Sequence, residues 1–306
     1  MSQNRLLSAV FLFYALAILV ALGSLLPHRP FSKKEKYASG SLAVVHIYGP
    51  IHTNFSASAW SKSDADDIAH RLHRLSENEN VKVILLRINS PGGTVAAVQE
   101  IYREIVRCQA NGKKVVASLG DVAASGGYYL ASPADRIVAD PGTITGSIGV
   151  IMQFGNLEGL FEKLGVRLQV IKSGAHKDIG SPARPLTPEE KHLLQASLDD
   201  AYAQFVDAVR KGRRLSPEKV RELADGRIFT GRQAQKVGLV DELGNSEDAL
   251  QTAIQLANLP PHPPVISDTP PSFLSLMKTL GAQAMGGAFA ALQNPGPGVQ
   301  LEYLLQ

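Results

Sequence analysis

The 306-residue chain contains one cysteine, Cys108, so it can form no internal disulfide. It has no HExxH signature and no paired-cysteine spacing, and its eight histidines are dispersed, so the pattern of a metal site is missing. No cofactor is expected either. The net charge is only +3 and the basic residues are scattered, which excludes the electrostatic footprint of a nucleic-acid binder. No internal repeat is found. With 44% apolar residues, the chain has ample material for a sizeable core and is not a disordered protein. Cys108 falls within a predicted helix over 95–110 and is expected to be a core thiol.

Charge is also absent from one long stretch near the beginning. Leu6 to Leu26 are 21 residues without a charged side chain, broken only by Ser8, Tyr14, Gly23 and Ser24. At helical rise they span about 31 Å, the thickness of a bilayer core. Residues 1–27 are therefore expected to form one N-terminal transmembrane helix that anchors the chain in a membrane. A cleaved signal peptide is the competing reading, since Ala21-Leu-Gly23 has the small-x-small form of a cleavage site, but the apolar run exceeds the usual h-region. Residues 28–40 are polar and punctuated, as in a juxtamembrane linker. Arg29, Lys33, Lys34 and Lys36 follow the apolar run while only Arg5 and the terminal amine precede it. That count alone would hold the following domain in the cytoplasm.

From residue 41 to 258 apolar runs and helical periodicities alternate. Strands are predicted at Leu42 to Tyr48, Val81 to Ile88, Val115 to Leu119, Arg136 to Ala139, Ser147 to Met152 and Arg167 to Ile171. Helices are predicted from an N-cap at Ser63 through Leu75, and at 95–110, 156–164, 188–212, 217–224, 231–237 and 246–257. Capping signals stand at Thr187-Pro188, Ser216-Pro217 and Thr230-Gly231. His70 and His73 point away from the apolar stripe of the first helix and are expected in solvent. The alternation predicts an α/β layered domain with mostly parallel strands. Residues 259–306 form a tail: prolines from Leu259 to Pro271 are expected to break regular structure, and an apolar segment, Phe273 to Leu292, fits either a membrane-surface helix or a docking helix.

Two turns carry the candidate chemistry. The strand ending at Leu119 runs into Asp121-Val-Ala-Ala-Ser-Gly-Gly-Tyr-Tyr-Leu130, which sets Ser125 at a strand-to-helix turn among small residues. That suits a nucleophile, with the amides of Gly126 and Gly127 free to meet an oxyanion; it also suits a simple N-cap serine. The strand over 81–88 ends in Asn89-Ser-Pro-Gly-Gly-Thr94, where glycines leave backbone amides unencumbered at the strand's carboxyl end, the end at which open α/β sheets bind ligands.

These two blocks, with Gly142-Thr-Ile-Thr-Gly-Ser-Ile-Gly149, Lys172-Ser-Gly-Ala-His-Lys-Asp-Ile-Gly-Ser-Pro182, Asp225-Gly-Arg-Ile-Phe-Thr-Gly-Arg-Gln-Ala234 and Gly238-Leu-Val-Asp-Glu-Leu-Gly244, resemble signal peptide peptidase A in its short single-domain form. The resemblance covers about Leu42 to Ala257. It implies a serine endopeptidase on the Clp protease and crotonase type of α/β spiral, with Ser125 as nucleophile, Lys177 as general base, and Gly93 and Gly126 as oxyanion-hole amides. It further implies a type II anchor in the bacterial cytoplasmic membrane with the catalytic domain outside, in conflict with the charge count. The substrates implied are cleaved signal peptides and other short apolar peptides. Because the long form of the family divides its serine and lysine between two tandem copies, a single-copy chain is expected to form a homo-oligomeric ring that shares each site between neighbours.

A serine hydroxyl needs an adjacent base, and a lysine serves only where it can be neutral. A Ser/His/Asp triad is the chemical rival, with His176 or His192 as base and Asp178 as orienter. In Clp protease relatives the histidine arrives about 25 residues past the serine, in the stretch that here reads Gly149-Val-Ile-Met-Gln153, and no histidine is there. The alternative from another class is a crotonase-like acyl-CoA enzyme, or a non-catalytic scaffold, which would hold a thioester enolate on glycine amides without needing Ser125 or Lys177.

Overall fold

The computed structural model describes residues 38–53, 64–267 and 302–304. The expected anchor at 1–27, most of the linker and the segment from Phe273 to Leu292 lie outside the described residues. Among the described residues no helix is long and apolar enough to cross a membrane.

In chain order the elements are β1 (Ser41–Tyr48), α1 (Ala65–Glu77), β2 (Val81–Ser90), β3 (Gly92–Thr94), α2 (Val95–Ala110), β4 (Lys114–Ala124), α3 (Gly126–Ala131), β5 (Arg136–Ala139) and β6 (Ile144–Gly146). There follow α4 (Glu158–Lys163), α5 (Pro188–Arg213), α6 (Pro217–Leu223), β7 (Ile228–Thr230), α7 (Gly231–Lys236), β8 (Glu242–Leu243), α8 (Ser246–Leu256), β9 (Val265–Ser267) and β10 (Glu302–Leu304).

The main sheet runs β7-β6-β4-β2-β1-β9, with β5 bridging β4 to β8. All its pairings are parallel except β6 with β7. A parallel sheet is covered on both faces, which is why β2 reads as an almost unbroken apolar run. Ile84, Leu86 and Ile88 join the large cluster beneath α1 and α2, while Val83 and Leu85 face the opposite way with Val116, Val138 and Ala253 of α8. Caps set several helix starts. Thr187 and Glu190 form a reciprocal capping box on α5, as Thr230 and Gln233 do on α7, and Ser216 caps α6. The cap of α1 is Asp64, whose carboxylate accepts from the amide of Asp66, one residue beyond the expected Ser63.

Four expectations need correction. First, β4 does not end at Leu119. The β2 to β4 register jumps from Ile88↔Leu119 to Ser90↔Ala123, so Gly120 to Val122 bulge out and the strand resumes to Ala124. Asn89 fills the gap, its Oδ1 accepting from the Val122 amide at 3.0 Å. Through the bulge β4 changes neighbour on its other side, from β5 to β6. Second, the strand expected at Ser147 to Met152 forms instead at Ile144–Gly146, because Gly146 (φ 78°) and Ser147 (φ 50°) turn the chain out of the sheet. Third, Arg167 to Ile171 alternates as a strand would but pairs with no described strand and is exposed along its length. Fourth, the proline-rich stretch still supplies β9, which adds a parallel edge to β1.

Candidate active site

Ser125 stands between β4 and α3, and its backbone is bound on both sides. Its amide donates to the Gly146 carbonyl at 2.8 Å and its carbonyl accepts from the Tyr129 amide at 2.9 Å. Its φ of 51° and ψ of −118° put a non-glycine residue in sparsely populated space, a strain of about 1–3 kcal/mol that the surroundings must enforce. The side chain makes no cap hydrogen bond, so the N-cap reading does not hold. Ser125 is 1% exposed, and among the described residues its Oγ is the buried side-chain polar atom with no hydrogen-bond partner. A buried hydroxyl without a partner costs about 1–3 kcal/mol and calls for an explanation.

Glycines make room beside it. A Cβ on Gly126 would lie 3.1 Å from the Gly93 amide nitrogen and 2.7 Å from Val98, and one on Gly93 would sit 1.7 Å from the Ile51 carbonyl oxygen. The start of α3 and β3 therefore touch backbone to backbone, as only glycines permit. The first amides of α3 have no acceptor within the helix, so Gly126 offers a free N–H beside that of Gly93. Tyr128 anchors this short helix from below, its fully buried hydroxyl donating to the Leu239 carbonyl at 2.8 Å. Burial raises that phenol well above its ordinary range.

Lys177 makes no hydrogen bond to this serine within the chain. It is exposed, in the loop between Lys172 and Pro182, and it makes no ion pair or hydrogen bond through its ammonium among the described residues. The Ser125 Oγ, lacking any partner, is not bonded to it. The loop is nevertheless shaped. Arg184 donates to both carboxylate oxygens of Asp178, at 2.8 and 3.1 Å, and to both of Glu190, at 2.6 and 2.8 Å; Lys172 adds a 2.6 Å bond to Asp178. Those bonds, Arg184's first, hold the Asp178 carboxyl far below the usual carboxylate range. Glu190 is lowered to about 2, by Arg184 first and then by the Thr187 amide. Neither Arg184 nor this network was singled out in the sequence. The only signal was opposite charges crowded into a turn-rich loop.

The rival triad is not assembled. Asp178 is engaged by Arg184 and Lys172, and His176 lies 3.7 Å from Glu189 instead. Cys108 is a core thiol as expected, its Sγ donating to the Leu72 carbonyl, and burial pushes it up to about 12, which leaves it unreactive. His73 is half-exposed, as expected of a helix side chain in solvent, beside Glu77 and Glu104. No group of three or more His, Cys, Asp or Glu side chains among the described residues could hold a metal.

One cleft adjoins the site. A cleft of about 500 Å³ opens past Gly146, walled in part by Ile148, Val150, Ile151 and Ile228. Farther along the chain α4 buries none of its residues, and Leu160, Leu164, Leu168, Val170 and Ile171 are exposed in it and in the stretch that follows.

A mostly parallel α/β sheet whose central strand delivers an unpartnered, strained serine to a cradle of glycine amides defines a serine hydrolase of the Clp protease type. The family model described as Clp protease matches residues 51–140, and that described as Peptidase family S49 matches residues 107–260. The chain is 55% identical over 185 residues to a protein of Synechocystis named as a protease, covering 60% of this chain and 66% of that one. It is 40% identical over 229 residues to one so named in Methanocaldococcus jannaschii, covering 74% and 73%. To an Enterococcus faecium protein named as signal peptide peptidase SppA it is 44% identical over 182 residues, covering 60% and 53%. The chain belongs to peptidase family S49 and is a serine peptidase.

Proposed function

We propose that this peptidase cleaves short apolar peptides, including signal peptides left in a membrane, by acyl-enzyme chemistry with Ser125 as nucleophile and Lys177 as base. The observation that carries the reading is the buried Ser125 Oγ, held without a partner on a strained turn beside the amides of Gly93 and Gly126. A neutral Lys177 amine takes the Ser125 proton as Oγ adds to the substrate carbonyl. The Gly93 and Gly126 N–H groups receive the oxyanion. The lysine then returns its proton to the departing amine, and water releases the acyl group by the same steps reversed. A guanidinium could not replace the amine, since it keeps its proton. The apolar wall of the cleft past Gly146 favours small or aliphatic side chains next to the scissile bond.

In this reading the base at each serine comes from a neighbouring copy, which agrees with the lack of any hydrogen bond to the Ser125 Oγ among the described residues. The exposed apolar residues from Leu160 to Ile171 immediately precede the Lys177 loop, and so many uncovered in one short stretch suit a partner's surface. A head-to-tail contact made there closes into a ring when its rotation closes. In this reading Leu6 to Leu26 anchor each copy in the bacterial cytoplasmic membrane, with the catalytic domain outside. Labelling with a serine-reactive fluorophosphonate tests the central assignment: wild type should label and Ser125→Ala should not. A crotonase-like enzyme or inert scaffold would label in neither.

A further inference from the structure

The free edge of β3 is not empty. Ile51 occupies one side of this short strand, donating its amide to the Gly92 carbonyl at 2.8 Å and accepting from the Thr94 amide at 2.9 Å. Along an extended strand these groups alternate in direction, so the N–H and C=O of Gly93 point to the opposite edge. There β10 runs antiparallel, with Glu302 opposite Thr94, Tyr303 opposite Gly93 and Leu304 opposite Gly92. The same strand lies against α3, the helix that Ser125 precedes. Three residues from the far end of the chain thus stand on the backbone of the glycine that faces the serine's cradle.

We infer that Glu302–Leu304 is a tethered pseudo-substrate, an extended peptide strand docked where a substrate would pair, and that incoming peptides must displace it. Naming the site it covers rests on the peptidase reading above; the docking itself does not. Strand addition recognises backbone, so any extended peptide can compete for the edge. The local sequence, Gln300-Leu-Glu-Tyr-Leu-Leu-Gln306, is leucine-rich and carries one charge, which puts it in the short apolar class proposed for the substrates. Three paired residues make a short ladder, and a tether offsets that weakness by holding the strand at a local concentration on the order of millimolar. The device sets the apparent KM and leaves the chemical step alone.

The test uses a fluorescently labelled peptide with the sequence of residues 300–306, titrated into the full chain carrying Ser125→Ala, with and without Tyr303→Pro. Proline removes the amide that would complete the pair with the Gly93 carbonyl and forbids the ladder. The expected result is saturable binding to the proline variant and about 10-fold weaker binding to the chain with its own strand intact. Equal affinity for the two chains, or saturable binding to neither, overturns the proposal. In chains that keep Ser125, Tyr303→Pro should lower KM several-fold with kcat unchanged, and a chain ending at residue 301 should behave likewise; an unaltered KM in both also overturns it. The binding comparison needs no turnover, so a failure of fluorophosphonate labelling would count against the catalytic reading while the docking is still decided.

Discussion

The amide of Ser125 donates to the carbonyl of Gly146 at 2.8 Å, while the hydroxyl of the same serine has no partner among the described residues. The β6 edge thereby fixes the backbone of the turn and leaves the side chain free to act. Strain and an unpaired polar atom, two separate penalties to folding, meet at one residue, as expected where a site is held for chemistry.

Removing the hydroxyl should therefore end catalysis without harming the fold. Ser125→Ala is expected to lose peptidase activity entirely and to be as stable as wild type or more so, by up to about 1 kcal/mol, because a buried unsatisfied group disappears. Ser125→Gly should be more stable again, since glycine takes φ 51° freely. Thermal melts beside a peptide-cleavage assay check both; retained turnover in either variant would exclude Ser125 as nucleophile.

Lys177→Arg should be as inactive as Lys177→Ala, since a guanidinium accepts no proton. Appreciable turnover by the arginine variant in a peptide-cleavage assay would move the role elsewhere, with His176 first to be tried.

Ser125→Ala subunits mixed with Lys177→Ala subunits should recover part of the activity after dissociation and reassembly, because some interfaces then pair an intact serine with an intact lysine. Demonstrated co-assembly with no recovered activity would mean that the dyad closes within one chain.

The exposed apolar arm should prove to be an interface. Ile171→Asp combined with Leu168→Asp is expected to shift sedimentation toward the single chain and lower activity at least 10-fold, with the melt of the α/β core little changed, since neither side chain contributes to that core. An assembly indifferent to two charges there would place the contact on another face.

The Arg184 network should confer acid sensitivity on the loop that carries Lys177. Asp178 and Glu190 both have folded pKa values below their ordinary ones, with Glu190 at about 2 against 4.5. The stability they contribute is thus fully present above about pH 4.5 and is lost as the pH falls toward 2. Melting temperature should drop through that window in wild type, and drop less in Arg184→Ala, which should already be the less stable protein at pH 7. Parallel pH curves for the two would show that the network contributes nothing.

The order of elements was legible along the chain wherever a local cause sufficed. Thr187 with Pro188 and Thr230 with Gly231 start helices by their own hydrogen-bonding capacity, and the apolar run over 81–88 makes a strand buried on both faces. Ser125 stood out as a candidate at a strand-to-helix turn that also suited a plain N-cap, and its pairing with Gly93 and Gly126 came from the family resemblance. The structure brings these three together and shows no hydrogen bond from Lys177 to Ser125. Other features depended on partners remote in sequence. The bulge at Gly120 exists because Asn89 fills it, the φ of Ser125 is enforced by Gly146, and Arg167 to Ile171 alternates as a strand would but has no described strand beside it. Propensity and periodicity are set by residues within a turn or two of each other, so the sequence alone determined most of the helices, the central strands and the candidate residues. Which strand edge each segment meets is a matter of long-range pairing and close backbone approach, and only the tertiary structure decided that, including the three residues that settle on β3.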